Sequence, residues 1–223
     1  FYFETYIERD LRQLIQLRNL SQFQKFVRLC AGRIGQLLNL NSLGNDAGVS
    51  HTTAREWLSI LEASYMVFLL EPFHRNLGKR LIKSPKLYFY DTGLACYLLG
   101  IGKEAQVDTH PLRGSLFENL VIAELVKFRF NQGKGINLNF YRDSMGNETD
   151  VIYNIAQEIL PIEIKAGETV APDYFKGLLA LQKVIGSYPY GRSIVYNGDH
   201  EETRGDIIIT GVSGLLQLLR RIE

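Results

Sequence analysis

At 223 residues the chain can bury one large core or two modest ones. Its apolar, charged and aromatic fractions are those of an ordinary globular protein. With 25 basic against 24 acidic residues the formal net charge is +1, which excludes neither nucleic acid nor protein partners, because binding depends on where charge clusters. No apolar run approaches the roughly 20 residues of a membrane span and no signal peptide opens the chain, so membrane association is not expected and a cytoplasmic location is. Cys30 and Cys96 lie far apart in apolar segments without metal-ligand spacing and read as buried thiols. The chain starts at Phe1 without a Met and is expected to be part of something longer.

From Tyr2 to about Arg18, the residues Ile7, Leu11, Leu14 and Ile15 share one helical face. Ser21-Gln22-Phe23-Gln24 has the form of a capping box, opening a second helix through Phe23, Phe26, Val27 and Cys30. Short helical segments follow at Gly35 to Leu40 and Ser42 to Ala47. Gly48-Val49-Ser50 is a turn, with Ser50 as N-cap of a helix running to about Glu62. Tyr65 to Leu70 and Lys86 to Tyr90 read as strands around a basic loop, and a helix from Gly93 to Leu99 closes this half. The Gly, charged and Pro content of Gly100 to Pro111 marks a boundary, which divides the chain into a helical domain, 1–102, and a second domain, 103–223. Beyond it the patterns predict a helix from Leu112 to about Phe130 and strands at Ile136–Tyr141, Glu148–Ile155 and Glu158–Lys165. A helix at Pro172–Ile185, strands at Ser193–Tyr196 and Asp206–Thr210, and a last helix to Arg221 complete an α/β order.

In the first half, a short helix, a turn at Gly48 and a second helix with Ala54, Trp57, Leu58 and Leu61 facing inward have the layout of a helix-turn-helix. His51, Thr52, Arg55 and Ser59 would face outward. Between the two strands that follow, residues 72–90 hold Arg75, Lys79, Arg80, Lys83 and Lys86 and no acid, so the hairpin reads as the basic wing of a winged helix, able to touch DNA phosphates. Winged helices also serve protein contacts, and that alternative stays open. Asp91-Thr92-Gly93 matches the triplet of aspartic proteases, but no second triplet exists and a helical segment follows at once, so Asp91 is expected to cap that helix. The four histidines have no metal-ligand spacing, and no phosphate-binding glycine motif is present.

The chemistry concentrates in Glu148–Ile155 and Glu158–Lys165. Side chains alternate along a strand, so Glu163 and Lys165 share a face while Ile162 and Ile164 point into an apolar layer. A ribbon turning at Ala156-Gln157 pairs residues whose numbers sum to 313, which sets Asp150 opposite Glu163. Carboxylates so paired, with Cβ atoms roughly 4.5–5.5 Å apart, destabilise a sheet unless something positive lies between them. Mg²⁺ or Mn²⁺, bound by one or two carboxylates and completed by water and phosphate, would remove the penalty.

A helix carrying Glu118, a strand carrying Asp150 and a strand carrying Glu163-x-Lys165, in that order, resemble the PD-(D/E)xK (restriction-endonuclease-like) nuclease core. The resemblance implies that Asp150 and Glu163 hold the metal with support from Glu118, and that Lys165 orients the attacking water or stabilises developing charge. Pro161 departs from an ideal central strand because it donates no ladder hydrogen bond. Six stretches reach across nearly the whole chain: Phe3–Asp10, Gly35–Asn39, Asn76–Arg80, Pro85–Leu94, Arg113–Asn119 and Pro161–Lys165. Together they resemble the domain of unknown function that follows the ATPase domain in prokaryotic AAA+ type ATP-binding proteins. That resemblance implies an N-terminal P-loop ATPase domain elsewhere in the full-length chain, so that ATP acts only there, with a winged helix and a nuclease-like domain here. DNA is then the expected partner and endonuclease activity the expected chemistry. The rival expectation is a non-catalytic interaction module coupled to the ATPase, and a third is a helical scaffold for oligomer assembly.

Overall fold

The computed structural model describes residues 20–73 and 83–223. Within them the chain is a mixed α/β protein, helices first and a mixed sheet after. Helix α1 (Leu20–Ala31) buries Phe23, Phe26, Val27 and Cys30, a spacing that lines one side of an α-helix. Helix α2 (Leu40–Ala47) starts at Asn39, whose side chain accepts a hydrogen bond from the Ser42 amide, and ends at Gly48, whose φ of 78° any Cβ would resist. Ser50 caps α3 (His51–Ala63) by accepting from the Thr53 amide, as its place after the turn predicts. Trp57 meets Phe23 and Phe26 edge-on at centroid distances of 5.3 and 5.5 Å, which locks α3 to α1.

Strands β1 (Val67–Leu70) and β2 (Lys86–Phe89) form an antiparallel ribbon, Val67 opposite Phe89. Gly35 to Leu40 does not form the expected helical segment. Gly35 takes φ 73°, and the following residues run extended, with Leu37 bridging Lys86 and the Leu38 amide donating to the Pro85 carbonyl. Nor does Ser21 cap α1, because the helix already includes Leu20. The expected helix at Tyr2 to Arg18 lies outside the described residues.

Asp91 caps α4 (Thr92–Leu98), accepting from the Gly93 and Leu94 amides at 2.7 and 3.1 Å. A short α5 (Glu104–Asp108) sits within the stretch read as a boundary. The long α6 (Arg113–Asn131) then packs on a six-stranded sheet of order β3-β4-β5-β6-β8-β7. Here β3 is Leu138–Arg142, β4 Glu148–Ile155, β5 Glu158–Lys165, β6 Arg192–Tyr196, β7 Glu202–Arg204 and β8 Ile207–Thr210. The sequence pattern misses the short β7. The first three strands are antiparallel, β5, β6 and β8 are parallel, and a 3₁₀ turn (Pro172–Phe175) leading into α7 (Lys176–Ile185) makes the β5–β6 crossover. Helix α8 (Val212–Ile222) ends the described chain.

Alternation along the strands divides the sheet's faces. Val151, Tyr153, Leu160, Ile162 and Ile164 pack with Val121, Ile122 and Leu125 of α6 and Leu215 and Leu219 of α8. The other face, with Ile152, Ile159, Ile194 and Ile209, takes Leu178 and Leu181 of α7. The ribbon joins the first of these layers: Phe68, Leu70 and Tyr88 belong to it, while Leu87 and Phe89 pack on the helical side. Past β1 the chain docks on the edge of β3, where the Phe73 amide donates to the Phe140 carbonyl and the Phe140 amide to that of Glu71. Contact of this kind covers a strand edge that would otherwise pair with other chains. No helix among the described residues is long and apolar enough to cross a membrane.

Candidate functional site

The β4–β5 hairpin turns at Ala156, which adopts φ 54°, and Gln157, and its register runs from Ile155 opposite Glu158 to Val151 opposite Ile162, the pairing expected from the sequence. One residue further, Asp150 and Glu163 face the α7 side together. Pro161 pairs with Ile152 on the antiparallel side and lies one residue before the parallel ladder with β6 begins at Ile162, so its missing N–H interrupts no parallel bond. Asp150 accepts from the Ile164 amide at 2.8 Å. Lys165 Nζ lies 2.6 Å from Glu163 Oε1 and 3.6 Å from Asp150 Oδ2. The two carboxylates can be no further apart than those distances laid end to end, which is within the roughly 7–8 Å of diagonal strand neighbours.

Glu163 is the unsettled member. Its side chain is 7 % exposed, and its Oε2 is buried without a hydrogen-bond partner. Burial first and Asp150 second push its pKa up to about 8, against the pull of Lys165. The Lys165 ammonium is lowered by burial but raised more by Asp150 and Glu163, and ends above the usual Lys value. Helix α7 closes over this corner at Gly177, where a Cβ would strike the Glu148 carbonyl oxygen and come within 2.7 Å of Glu163 Oε2.

Glu118 is held on α6 by two groups from the ribbon. Lys86 Nζ lies 2.9 Å from its Oε1, and the Tyr88 hydroxyl donates to the same oxygen at 2.5 Å. Lys86 also pairs with Glu148 Oε1 at 2.5 Å, and Arg142 lies 3.3 Å from Glu148 Oε2. Burial raises the Glu118 carboxyl, partly offset by Lys86, and Asp150 raises it further, which ties Glu118 to the hairpin carboxylates electrostatically. The side-chain contacts thus form two groups, Asp150, Glu163 and Lys165 on the hairpin and Glu118, Lys86, Tyr88, Glu148 and Arg142 beside it, coupled through the Asp150 charge. Lys86, counted among the five basic residues of 72–90, is no part of an exposed basic surface: it is buried and turned toward the carboxylates. Sequence signals for the additions were present. Lys86 and Tyr88 alternate with Leu87 and Phe89, and Glu148 stands two residues before Asp150 on the same strand face.

Among the described residues, no three His, Cys, Asp or Glu side chains are disposed to hold a metal ion. Two carboxylates, Asp150 and Glu163, with one buried oxygen lacking a partner, nonetheless fit Mg²⁺, which usually keeps several waters and takes one or two protein carboxylates. Of the residues expected to face DNA, Thr52, Arg55 and Lys83 are exposed. Arg75, Lys79 and Arg80 lie outside the described residues. Glu56 stands beside Arg55, also exposed, so the outward face of α3 carries little net positive charge.

Residues 1–105 match a family described as Domain of unknown function (DUF8612), and residues 113–215 match Domain of unknown function (DUF4143). Among curated proteins the chain is 29% identical over 209 residues to "Uncharacterized protein Rv2008c" of Mycobacterium tuberculosis, covering 93% of this chain and 45% of that protein. It is 23% identical to "Uncharacterized protein MJ1637" of Methanocaldococcus jannaschii, covering 97% of this chain and 43% of that one. The chain therefore spans less than half the length of these relatives. Among solved structures, protein VC1899 from Vibrio cholerae aligns over 90% of this chain and 55% of its own, at 14% identity and a TM-score of 0.32.

Proposed function

We propose that this chain is the DNA-directed part of a AAA+ type ATP-binding protein, with a helical winged-helix domain and a nuclease-like domain of PD-(D/E)xK type. The observation that carries the reading is the Asp150–Lys165–Glu163 arrangement: two carboxylates on one sheet face, a lysine contacting both, and a buried Glu163 oxygen without a hydrogen-bond partner. Asp150 and Glu163 would hold Mg²⁺ or Mn²⁺, which when bound polarises phosphoryl oxygens and makes water a better nucleophile. Lys165 keeps an ammonium between the carboxylates, able to orient a water or meet charge developing on a phosphate. Glu118, held by Lys86 and Tyr88, supports the acidic side of the site. For the winged helix, support comes from the order α1, extended Leu37, α2, α3 and the β1–β2 ribbon, with Thr52, Arg55 and Lys83 outward. ATP would act through a separate ATPase domain of the full-length protein, which is also the nearest partner.

The test is nicking of supercoiled plasmid in Mg²⁺ or Mn²⁺ by the wild-type chain and by Asp150→Asn and Lys165→Ala. Activity lost in both variants with DNA retention unchanged is the expected result; equal nicking by all three would overturn it. A second reading, a non-catalytic interaction module, is favoured by a different observation: lysines and an arginine already pair Glu118, Glu148, Asp150 and Glu163. Absence of nicking with DNA or protein binding intact would select it.

A further inference from the structure

Lys86 opens β2, yet its charge is delivered to the carboxylates of the other half of the molecule. Its side chain is 4 % exposed, with Nζ 2.9 Å from Glu118 Oε1 on α6, 2.5 Å from Glu148 Oε1 on β4, and 5.5 Å from the centroid of the Phe140 ring. One buried ammonium thus bridges carboxylates of two elements, as a metal does in a two-ion phosphoryl-transfer site. Tyr88 fixes the same Glu118 oxygen from the next inward position of the strand. Asp150 lies 3.6 Å from Lys165, and its charge also helps to hold the Lys86 ammonium above the usual Lys value. Four carboxylates meet two ammoniums here, with Arg142 at the outer oxygen of Glu148. The independent sign of an unfilled position is at the other end, where Glu163 Oε2 is buried without a hydrogen-bond partner. Around Glu118 and Glu148, by contrast, the cation is already built in.

We propose that Lys86 is an internal cation standing in for a second divalent ion, so that the cluster takes up one ion as built and gains another, on Glu118 and Glu148, when the Lys86 charge is removed. The first ion rests on the reading of Asp150 and Glu163 given above; the second does not.

The test compares the wild-type chain, Lys86→Met and Lys86→Arg by thermal unfolding with and without MnCl₂ and by calorimetric counting of Mn²⁺. Lys86→Met should melt lower than wild type without metal. Mn²⁺ should then raise its Tm by roughly 5–10 °C more than it raises that of wild type, at a hundredfold excess over Kd. Its stoichiometry should be one ion higher, and adding Glu118→Gln should abolish the difference. Lys86→Arg, which keeps the charge, should respond like wild type. The proposal is overturned if Mn²⁺ raises Lys86→Met no more than wild type, if Lys86→Met stays unfolded in Mn²⁺, if Lys86→Arg gains the extra ion, or if wild type already takes two. A wild type that takes no ion, beside a Lys86→Met that takes one, would instead count against the Asp150 and Glu163 reading and uphold this one.

Discussion

Glu163 is buried beside Asp150, and its pKa, raised from the usual 4.5 to about 8, ties stability to pH. Below about pH 4.5 the carboxyl is protonated folded or unfolded and contributes nothing. Between about 4.5 and 8 the folded chain holds the proton more tightly than the unfolded one, so stability falls as pH rises through this window. Glu163→Gln removes the titration and should flatten the decline, leaving the variant as stable as wild type at pH 5 and more stable at pH 8.5. The expected gain is on the order of a few kcal/mol without metal, after the lost pairing with Lys165 is counted. Urea unfolding at the two pH values measures it, and a variant less stable than wild type at pH 8.5 would contradict the assignment of Glu163 as the strained member.

At the scale of elements, the β4–β5 hairpin is legible in the sequence because strict alternation and a two-residue turn fix its register, and with it the partners Asp150, Glu163 and Lys165. Glu118 is legible only from the order of elements, a helix ahead of the strands that carry Asp150 and Glu163-x-Lys165, because α6 is buried on more than one face and its own pattern singles out no polar position. Lys86 is not, because a lysine beside a basic loop looks solvated until long-range packing turns its strand face toward α6 and β4. The expected helix at Gly35 to Leu40 gives way for a related reason: periodicity favours it locally, but pairing of Leu37 with Lys86 satisfies backbone groups that the ribbon leaves open. Gly177 is also unreadable alone, since a glycine in a helix has no obvious purpose until α7 is seen against the Glu148 carbonyl and Glu163. Gly177→Ala should push α7 from this corner, cost about 1–3 kcal/mol in unfolding free energy, and weaken any Mn²⁺-induced rise in Tm. Unchanged stability would mean that α7 does not close the site as described. If the hairpin is the DNA-contacting wing proposed above, neutralising Lys79, Arg80 and Lys83 together should weaken DNA binding evenly across sequences and reduce its salt slope. An unchanged slope in fluorescence anisotropy titrations would assign the hairpin to protein contacts.

At the scale of the molecule, the ribbon is shared between two cores. Phe68, Leu70 and Tyr88 pack into the layer under α6, and Leu116 of α6 is buried among the helices. The first family match ends at 105, inside the stretch read as a boundary, and the second begins at 113, while these contacts cross that stretch. Cooperative unfolding of the whole chain follows. Trp57, the sole tryptophan, lies in the helical half, so its fluorescence reports that half while far-UV circular dichroism reports the whole. The two denaturation curves should coincide; an earlier fluorescence transition would mean that the helical half unfolds alone.

The proposed function stands or falls with Asp150 and Glu163 as a divalent-cation site. Thermal unfolding at pH 7.5 in increasing MnCl₂, for the wild-type chain and for Asp150→Asn and Glu163→Gln, tests it most directly. The Tm should climb with Mn²⁺ in wild type and stay flat in both variants, each of which melts no lower than about the metal-free wild type. A wild-type Tm indifferent to Mn²⁺, or a rise of equal size in all three proteins, would contradict it.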